Sequence, residues 1–261
     1  LLDLVIGNYG YHNPNNDPAS SLALFENIGN DSIPKYNLIN RDWLGLSTTN
    51  LNTTLNIPAL NLSPTFSDLD GDGNKDLIVG DADGKVHFFT NNGGNFQITN
   101  PNYQNIDVGQ FAQPQIIDVN RDGLNDLIIG EQDGTINYLP NSGTATNAIF
   151  DTIITNWGGV DVDQSYISTG FSNPTLYDSS GVYQLFVGSF SGNIYQFKNI
   201  DNNLNGQFST VNSTSSNIWD GGKSALALAD INNDNNPDMI VGNLSGGISF
   251  FSSDTLLTDT T

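Results

Sequence analysis

One segment of the sequence places carboxylates at alternate positions of a short loop. It contains Asp68, Asp70, Asp72 and Asp76, with glycine at position 73. Alternating carboxylates allow a curling loop to aim several oxygens at one point, and glycine permits the sharp bend. Oxygen ligands in this arrangement are those that Ca²⁺ prefers in proteins. The chemistry expected of this segment is therefore the binding of a calcium ion.

The same pattern occurs twice more along the chain. In order of loop position, the predicted ligands are Asp68, Asp70, Asp72, Asn74 and Asp76, then Asp118, Asn120, Asp122, Leu124 and Asp126, then Asp230, Asn232, Asp234, Asn236 and Asp238. The fourth ligand of each set contributes its backbone carbonyl. Without a cation, the clustered carboxylates would repel one another. Magnesium demands stricter octahedral geometry, so Ca²⁺ is the predicted cofactor.

These loops differ from EF-hands, which need a bidentate glutamate at position 12 and flanking helices. Position 12 holds Val79, Ile129 or Val241, each inside an apolar run typical of a strand. A calcium loop that closes a β-hairpin is therefore expected. A fourth copy at Asp178 has lost two residues from its middle. It is too short to encircle a metal ion, and an ordinary turn is predicted there.

The loops belong to a longer repeat. Residues 64–80, 114–130 and 226–242 share one pattern, 174–188 is a shortened copy, and 3–7 is the end of a fifth. Each unit contains a strand, the Asp loop, a second strand, a Gly turn and a third strand, such as 85–89. A fourth strand follows, as at 35–39 and 149–153. Repeated four-stranded antiparallel units are typical of propeller blades.

The predicted fold class is therefore all-β: a β-propeller of four-stranded antiparallel blades with calcium loops. Five blade units are recognisable, at about 1–45, 46–104, 105–160, 161–218 and 219–251. The propeller would span 1–251, and 252–261 would be a C-terminal linker or closing strand. The sequence starts inside a blade, so we expect the units to be part of a larger ring.

Composition excludes several classes of function. The 261 residues carry a formal net charge of −21, from 28 acidic and 7 basic residues. Phosphate binding needs clustered Lys and Arg, so neither nucleic acid nor an anionic lipid surface is expected as a partner. The absence of cysteine excludes thiol catalysis and disulfides. No apolar run approaches the roughly 18 residues of a membrane span, so no direct membrane insertion is expected.

The Asp loop, the Leu-Ile-Val-Gly strand at 77–80 and the Asp-Gly turn after it resemble the FG-GAP/VCBS repeat of integrin-α-like propellers. This resemblance implies calcium in the Asp loops, a seven-bladed ring and extracellular adhesion or ligand binding. The segments after the third strands resemble proteins that Gram-negative bacteria export by the type IX system. A secreted or outer-membrane cell-surface location follows. Weak calcium sites also favour it, because they fill outside cells.

No catalytic constellation is evident. The two histidines, His12 and His87, have no obvious Ser or Cys partner, and no nucleophile elbow occurs. Carboxylate pairs such as Asp161 and Asp163 allow glycoside hydrolysis in principle, but aspartates in loops are more often solvated turns. The seven basic residues form no evident cluster for binding a uronate. We therefore expect a protein that is not an enzyme.

A large aromatic residue occurs near the end of each of four units, at Trp43, Tyr103, Trp157 and Trp219. Packing between blades is the commoner use of such residues, and sugar stacking by the three tryptophans is the alternative. The predicted function is a non-catalytic adhesion or protein-interaction module. A lectin-like or polysaccharide-acting propeller is the alternative. The partner would be a surface protein or a glycan, within a larger surface complex.

Overall fold

The computed structural model describes residues 1–12, 18–163, 169–212, 219 and 221–252. Most of the predicted C-terminal linker or closing strand, residues 253–261, lies outside the described part. Within the described residues the chain is all-β, with two short 3₁₀ turns at Tyr103–Asn105 and Trp157–Gly159. None of its described helical segments is long and apolar enough to cross a membrane.

The described strands are, in chain order, β1 (Leu4–Gly7), β2 (Tyr11–His12), β3 (Pro18–Ala19), β4 (Leu22–Asn27), β5 (Tyr36–Trp43), β6 (Ser63–Ser67), β7 (Asp76–Gly80), β8 (Val86–Asn92), β9 (Asn95–Asn100), β10 (Gln113–Ile117), β11 (Asp126–Gly130), β12 (Ile136–Leu139), β13 (Asn173–Ser179), β14 (Val182–Gly188), β15 (Ile194–Lys198), β16 (Ser209–Asn212), β17 (Ala225–Ala229), β18 (Asp238–Gly242) and β19 (Ile248–Phe251). They agree with the predicted strands to within a few residues, except at 149–153.

The strands form five antiparallel sheets of three or four strands. Their orders are β1-β4-β5, β6-β7-β8-β9, β10-β11-β12, β13-β14-β15-β16 and β17-β18-β19, numbered here as sheets one to five. Strands β2 and β3 pair with each other in an antiparallel manner, apart from the five sheets. The all-β, propeller-like architecture is therefore confirmed. Four strands in every blade are not, since three of the described sheets have three strands.

The fourth strand predicted at 149–153 is absent from sheet three, where only Ile154 bridges to Tyr138. The amide of Ile149 donates to Asn141 Oδ1 at 3.0 Å, as that of Lys35 does to Asn27 Oδ1 before β5. The difference in sheet three is the next amide, that of Phe150, which donates to a side chain, Gln104 Oε1, at 2.8 Å. An amide held by a side chain is not free to continue a ladder.

Neighbouring sheets meet at a repeated close contact. The middle strands β7 and β11 are buried at every residue, which explains their uniformly apolar sequence. The glycine that ends the middle strand lies against the backbone of the next unit. A Cβ added to Gly130 would lie 2.1 Å from the carbonyl oxygen of Ser172, and one added to Gly80 would lie 2.3 Å from that of Ala112. Glycine is required because the next sheet occupies the place of a side chain.

Sheets five and one are related differently. An added Cβ at Gly242, which ends β18, meets no atom within 4 Å, and Ile248 and Phe250 are exposed on β19. Near the inner strands, however, Lys223 reaches Tyr9, with Nζ 4.0 Å from the ring centroid. A residue just before the fifth sheet thus contacts one just after β1, while a broad face of the fifth sheet stays open among the described residues. A ring of seven blades stays a prediction.

Candidate metal centre and ligand sites

The first Asp loop, between β6 and β7, brings three carboxylates together. One oxygen each of Asp68, Asp70 and Asp76 lies within 4.8 Å of the other two. Asp68 holds the curl of the loop, because its Oδ1 accepts the amide of Gly71 at 2.7 Å and its Oδ2 that of Gly73 at 3.0 Å. The backbone thus fixes the separation of the carboxylates before any ion binds.

The separation of these oxygens fits a calcium ion. Ca²⁺ binds oxygens at 2.3–2.6 Å, so two ligands on opposite sides of one ion lie about 5 Å apart. The carboxylates of Asp68, Asp70 and Asp76 fall within that span. Asp72 stands apart, since its two oxygens accept the amide and the Nδ2 of Asn74 at 2.7 and 3.0 Å. These hydrogen bonds lower the pKa of the Asp72 carboxyl.

The last aspartate of each loop is fully buried. Asp76, Asp126 and Asp238 are all 0 % exposed. Asp126 accepts hydrogen bonds from the amides of Val119 and Asn141 and from the hydroxyl of Tyr138, at 3.0, 2.7 and 3.0 Å. Burial raises the pKa of the Asp126 and Asp76 carboxyls, and the donors on each partly offset it. This residue therefore anchors its loop to the strands.

The second and third loops keep the backbone geometry of the first with less charge. Asp118 accepts the amide of Gly123 at 2.9 Å, and Asp230 accepts that of Asn235 at 2.9 Å. Asparagine replaces aspartate at the third position, so three carboxylates within 4.8 Å of one another occur only in the first loop of the described chain. Leu124 and Asn236, like Asn74, donate their amides to the carboxylate two residues before them.

The shortened fourth copy is bound by an arginine instead. Arg121, from the second Asp loop, donates from its Nη1 to Asp178 at 2.7 Å and from its Nη2 to Asp201 at 2.9 Å. Its guanidinium also lies 3.9 Å from the ring centroid of Tyr183. This contact is missed by sequence reasoning, because the partners are 57 and 80 residues apart. Residues 180 and 181 form the turn that joins β13 to β14 in this copy.

The predicted aromatic residues divide into packed and exposed ones. Trp157 is 1 % exposed and makes a T-shaped contact with Phe208, with ring centroids 4.7 Å apart. Its Nε1 donates to the carbonyl of Leu204. It is a packing residue, which removes it from the predicted sugar ligands. Trp43 is partly buried against Phe96, with ring centroids 5.0 Å apart.

Trp219 is different, because it is 67 % exposed. Its Nε1 donates to the carbonyl of Ser191 at 2.9 Å, and its backbone bridges to Asn193. The indole is therefore oriented by the turn between β14 and β15 while most of its surface faces solvent. Of the three tryptophans, it is the one whose position suits a stacking ligand.

His87 has a partner that sequence reasoning missed. Its Nε2 lies 2.9 Å from Asp81 Oδ2, and its Nδ1 lies 2.5 Å from the carbonyl oxygen of Pro101. Both side chains are nearly inaccessible, at 1 % and 2 % exposure. The pair links the turn after β7 to β8, and the contact with Pro101 extends this link to the end of β9.

Comparison with known proteins supports the repeat and leaves the rest open. A family model described as an FG-GAP-like repeat matches residues 68–129, which contain the first two Asp loops. The resemblance to FG-GAP repeats is thus supported over that segment. No curated protein matches the chain. The resemblance to type IX-exported proteins stays a prediction.

Among solved structures, the chain is similar to an engineered GH43 glycoside hydrolase described as having both endo-xylanase and exo-arabinofuranosidase activity. The TM-score is 0.47 at 11 % identity, over 92 % of this chain and 50 % of the other, so this chain spans half the length of that protein. The expectation that the chain is not an enzyme is contradicted by this comparison, since a structural neighbour is an enzyme, and we withdraw it. At this identity no residue role is transferred.

Proposed function

We propose that this chain is a calcium-stabilised, propeller-like binding module that acts outside the cell. The observation that carries the proposal is the cluster of Asp68, Asp70 and Asp76, with oxygens within 4.8 Å of one another on a loop held by its own backbone. Calcium would bind this loop and its two relatives and would link the first two strands of a sheet. An ion that binds only the folded state stabilises that state.

The extracellular location follows from the strength expected of such sites. Calcium loops with few charged ligands in extracellular modules bind at about 10⁻⁴–10⁻³ M. The second and third loops carry an asparagine at the third position and have less charge than the first. Sites of this strength fill at extracellular calcium levels and remain empty in cytosol.

We further propose that the ligand of the module is a carbohydrate. Trp219 supports this proposal, since its indole is 67 % exposed and is held in orientation by the hydrogen bond to Ser191. A large flat ring fixed at the surface suits the apolar face of a pyranose. A protein partner on a cell surface is the alternative, and it would use the same exposed aromatic surface.

The calcium proposal is tested by thermal unfolding in millimolar CaCl₂, in MgCl₂ and in chelator. We expect the Tm to rise with calcium concentration and to change little with magnesium. A matched control is Asp83→Asn, which changes an exposed aspartate outside the Asp loops and leaves the calcium effect intact. An unchanged Tm on chelation would show that the loops are ordinary turns.

The carbohydrate proposal is tested by a glycan and polysaccharide screen in calcium, with wild-type protein and Trp219→Ala. Since Trp219 is exposed, its removal is expected to leave the Tm within a few degrees while binding of neutral glycans is lost. Binding of neutral glycans that survives in Trp219→Ala would exclude this residue. If the folded, calcium-loaded wild-type protein bound no glycan in the screen, the protein partner would be favoured.

A further inference from the structure

Two positions recur beside the inner strands of the sheets. The first strands of successive sheets, such as β6 and β10, contact each other and form the inner side of the arrangement. Two residues before four of these strands lies a residue with left-handed backbone. These residues are Asn61 (φ 53°), Phe111 (φ 58°), Phe171 (φ 49°) and Lys223 (φ 52°). Bulky side chains seldom adopt this conformation, because it brings Cβ too close to the following carbonyl oxygen.

The second position lies two residues after the glycine that ends β1, β7, β11 and β14. Its carbonyl accepts the amide of the left-handed residue of the next unit. The pairs are Asn61 to Tyr9 at 3.2 Å, Phe111 to Ala82 at 3.0 Å, Phe171 to Gln132 at 2.9 Å and Lys223 to Phe190 at 2.9 Å. The repeat therefore fixes the backbone of both positions, while their side chains differ from unit to unit.

Four of these side chains meet, and we call Tyr9, Phe111, Phe171 and Lys223 the inner cluster. The Lys223 Nζ lies 3.7 Å from the ring centroid of Phe171, 4.0 Å from that of Tyr9 and 4.8 Å from that of Phe111. The rings of Tyr9 and Phe111 are parallel within 2°, at 6.0 Å. One ammonium group is thus set against three aromatic faces contributed by three other units.

The four other basic residues without an ion pair in the described chain are exposed, whereas Lys223 is partly buried. Among the described residues, no carboxylate or carbonyl lies within bonding distance of Lys223 Nζ, unlike that of Lys85, which pairs with Asp107. An ammonium group has three donors, and aromatic faces satisfy it by charge attraction without accepting a conventional hydrogen bond. Tyr9 is 50 % exposed, so this side of the inner cluster opens to solvent.

We propose that the inner cluster binds a sugar that carries a single carboxylate. The carboxylate accepts hydrogen bonds from the Lys223 ammonium, and the pyranose ring stacks on the exposed face of Tyr9. One carboxylate is specified because the net charge of −21 repels a polyanion, while a single carboxylate needs only the local cation. This inference rests on the proposed carbohydrate ligand and names its chemical class and a second contact site, distinct from Trp219.

The test uses D-glucuronic acid, methyl β-D-glucopyranoside and acetate as probes, titrated into wild-type protein in calcium and followed by NMR. We expect glucuronate to bind, the neutral glucoside to bind at least about tenfold more weakly, and acetate to bind weakly. The charge-assisted hydrogen bond accounts for the first difference. Equal binding of glucuronate and acetate would show a plain anion site and overturn the sugar assignment. Failure of glucuronate to bind would overturn the proposal entirely.

Variants locate the site. Lys223→Met is expected to weaken glucuronate binding at least about tenfold, whereas Lys198→Met, at an exposed lysine of β15, leaves it unchanged. Lys223→Arg keeps a cation and is expected to retain binding, and Tyr9→Leu to reduce it without loss of folding. If Lys223→Met bound glucuronate as wild type does, the inner cluster would have a structural role alone.

The calcium-dependent Tm is read on the same samples, so failure of glucuronate binding is distinguishable from failure of the calcium proposal. Persistence of glucuronate binding in Trp219→Ala separates the inner cluster from the Trp219 site.

Discussion

The backbone carbonyl of Ser172 lies directly against Gly130, such that an added Cβ would be 2.1 Å from its oxygen. This contact joins sheet three to sheet four. An added Cβ at the same glycine position in the fifth sheet, Gly242, would meet no atom of the described residues within 4 Å. The chain therefore contains a matched pair of glycines that differ in their surroundings.

This pair gives the first prediction. Gly130→Ala is expected to destabilise the fold by about 3 kcal/mol, since the backbone of the next sheet must move. Gly242→Ala is expected to be neutral or to stabilise by up to about 1 kcal/mol, because alanine loses less backbone entropy in a strand. Urea unfolding of both variants measures the difference. Equal effects would show that the sheets do not pack as described.

The second prediction concerns the buried aspartate of the second loop. Asp126→Asn replaces one of the carboxylate oxygens with an amide that faces N–H and O–H donors. The free energy of unfolding is expected to fall by about 2–4 kcal/mol. This loss should persist in chelator, because the hydrogen-bond donors belong to the protein. The exposed Asp122→Asn serves as control, with an expected loss below about 1 kcal/mol. If Asp126→Asn were harmless in chelator, this residue would matter only through a metal.

The third prediction exchanges the residues at the third loop position. Asp70→Asn gives the first loop the composition of the others and should weaken its calcium affinity by about tenfold, since fewer charged ligands bind more weakly. Asn120→Asp should strengthen the second site by a similar factor. Isothermal titration with calcium measures both. Opposite signs, or no change in either, would exclude this position as a ligand.

The fourth prediction concerns the ion pairs that Arg121, in the Asp loop of sheet three, forms with Asp178 and Asp201 of the next unit. Arg121→Met should lower the Tm by a few degrees, while Arg41→Met, at an exposed arginine of β5, should not. Hydrogen bonding from Arg121 lowers the pKa of the Asp178 carboxyl. A carboxyl with a lowered folded pKa contributes stability above its unfolded pKa of about 3.9 and loses it as pH falls through the folded value.

The difference in Tm between wild type and Arg121→Met should accordingly stay constant from neutral pH to about pH 4 and disappear below it. Thermal unfolding of both proteins across this range provides the measurement. A difference in Tm that disappeared well above pH 4 would point to a different titrating group.

The fifth prediction follows from the burial of Lys223, which lowers the pKa of its ammonium to about 8. Below that value the folded protein holds a partly desolvated charge that the unfolded chain leaves in water. Lys223→Met should therefore be more stable than wild type at pH 7, by about 1 kcal/mol after allowance for solvent screening. The advantage should shrink between pH 8 and about 10.5, as wild-type lysine loses its proton. A lower stability of Lys223→Met at pH 7 would mean that the aromatic contacts outweigh the burial.

Local features of the fold could be read from the sequence because each depends on neighbouring residues. The Asp loop at 68–76, the strand at 77–80 and the turn after it are specified by turn chemistry and by runs of β-branched residues. The structure places strands there and brings Asp68, Asp70 and Asp76 together.

Long-range features could not be read in this way. Whether a tryptophan is buried depends on which side chain of another unit reaches it, as Phe208 reaches Trp157 and no comparable ring covers Trp219 within the described residues. The ion pairs of Arg121 with Asp178 and Asp201 join two units. Three of the four residues of the inner cluster are left-handed residues whose backbone repeats while their side chains do not. Aligning the repeats three residues before Pro114 and Pro174 would expose this position, but not what its side chains contact.

The glycine contact between sheets also bears on how such a chain can change in evolution. Each junction uses groups of two successive units alone, so a duplicated unit would bring both its own glycine and the carbonyl that the preceding glycine needs. The number of units can then grow or shrink without redesign of any junction. At the open face of Gly242, such growth would break no contact among the described residues.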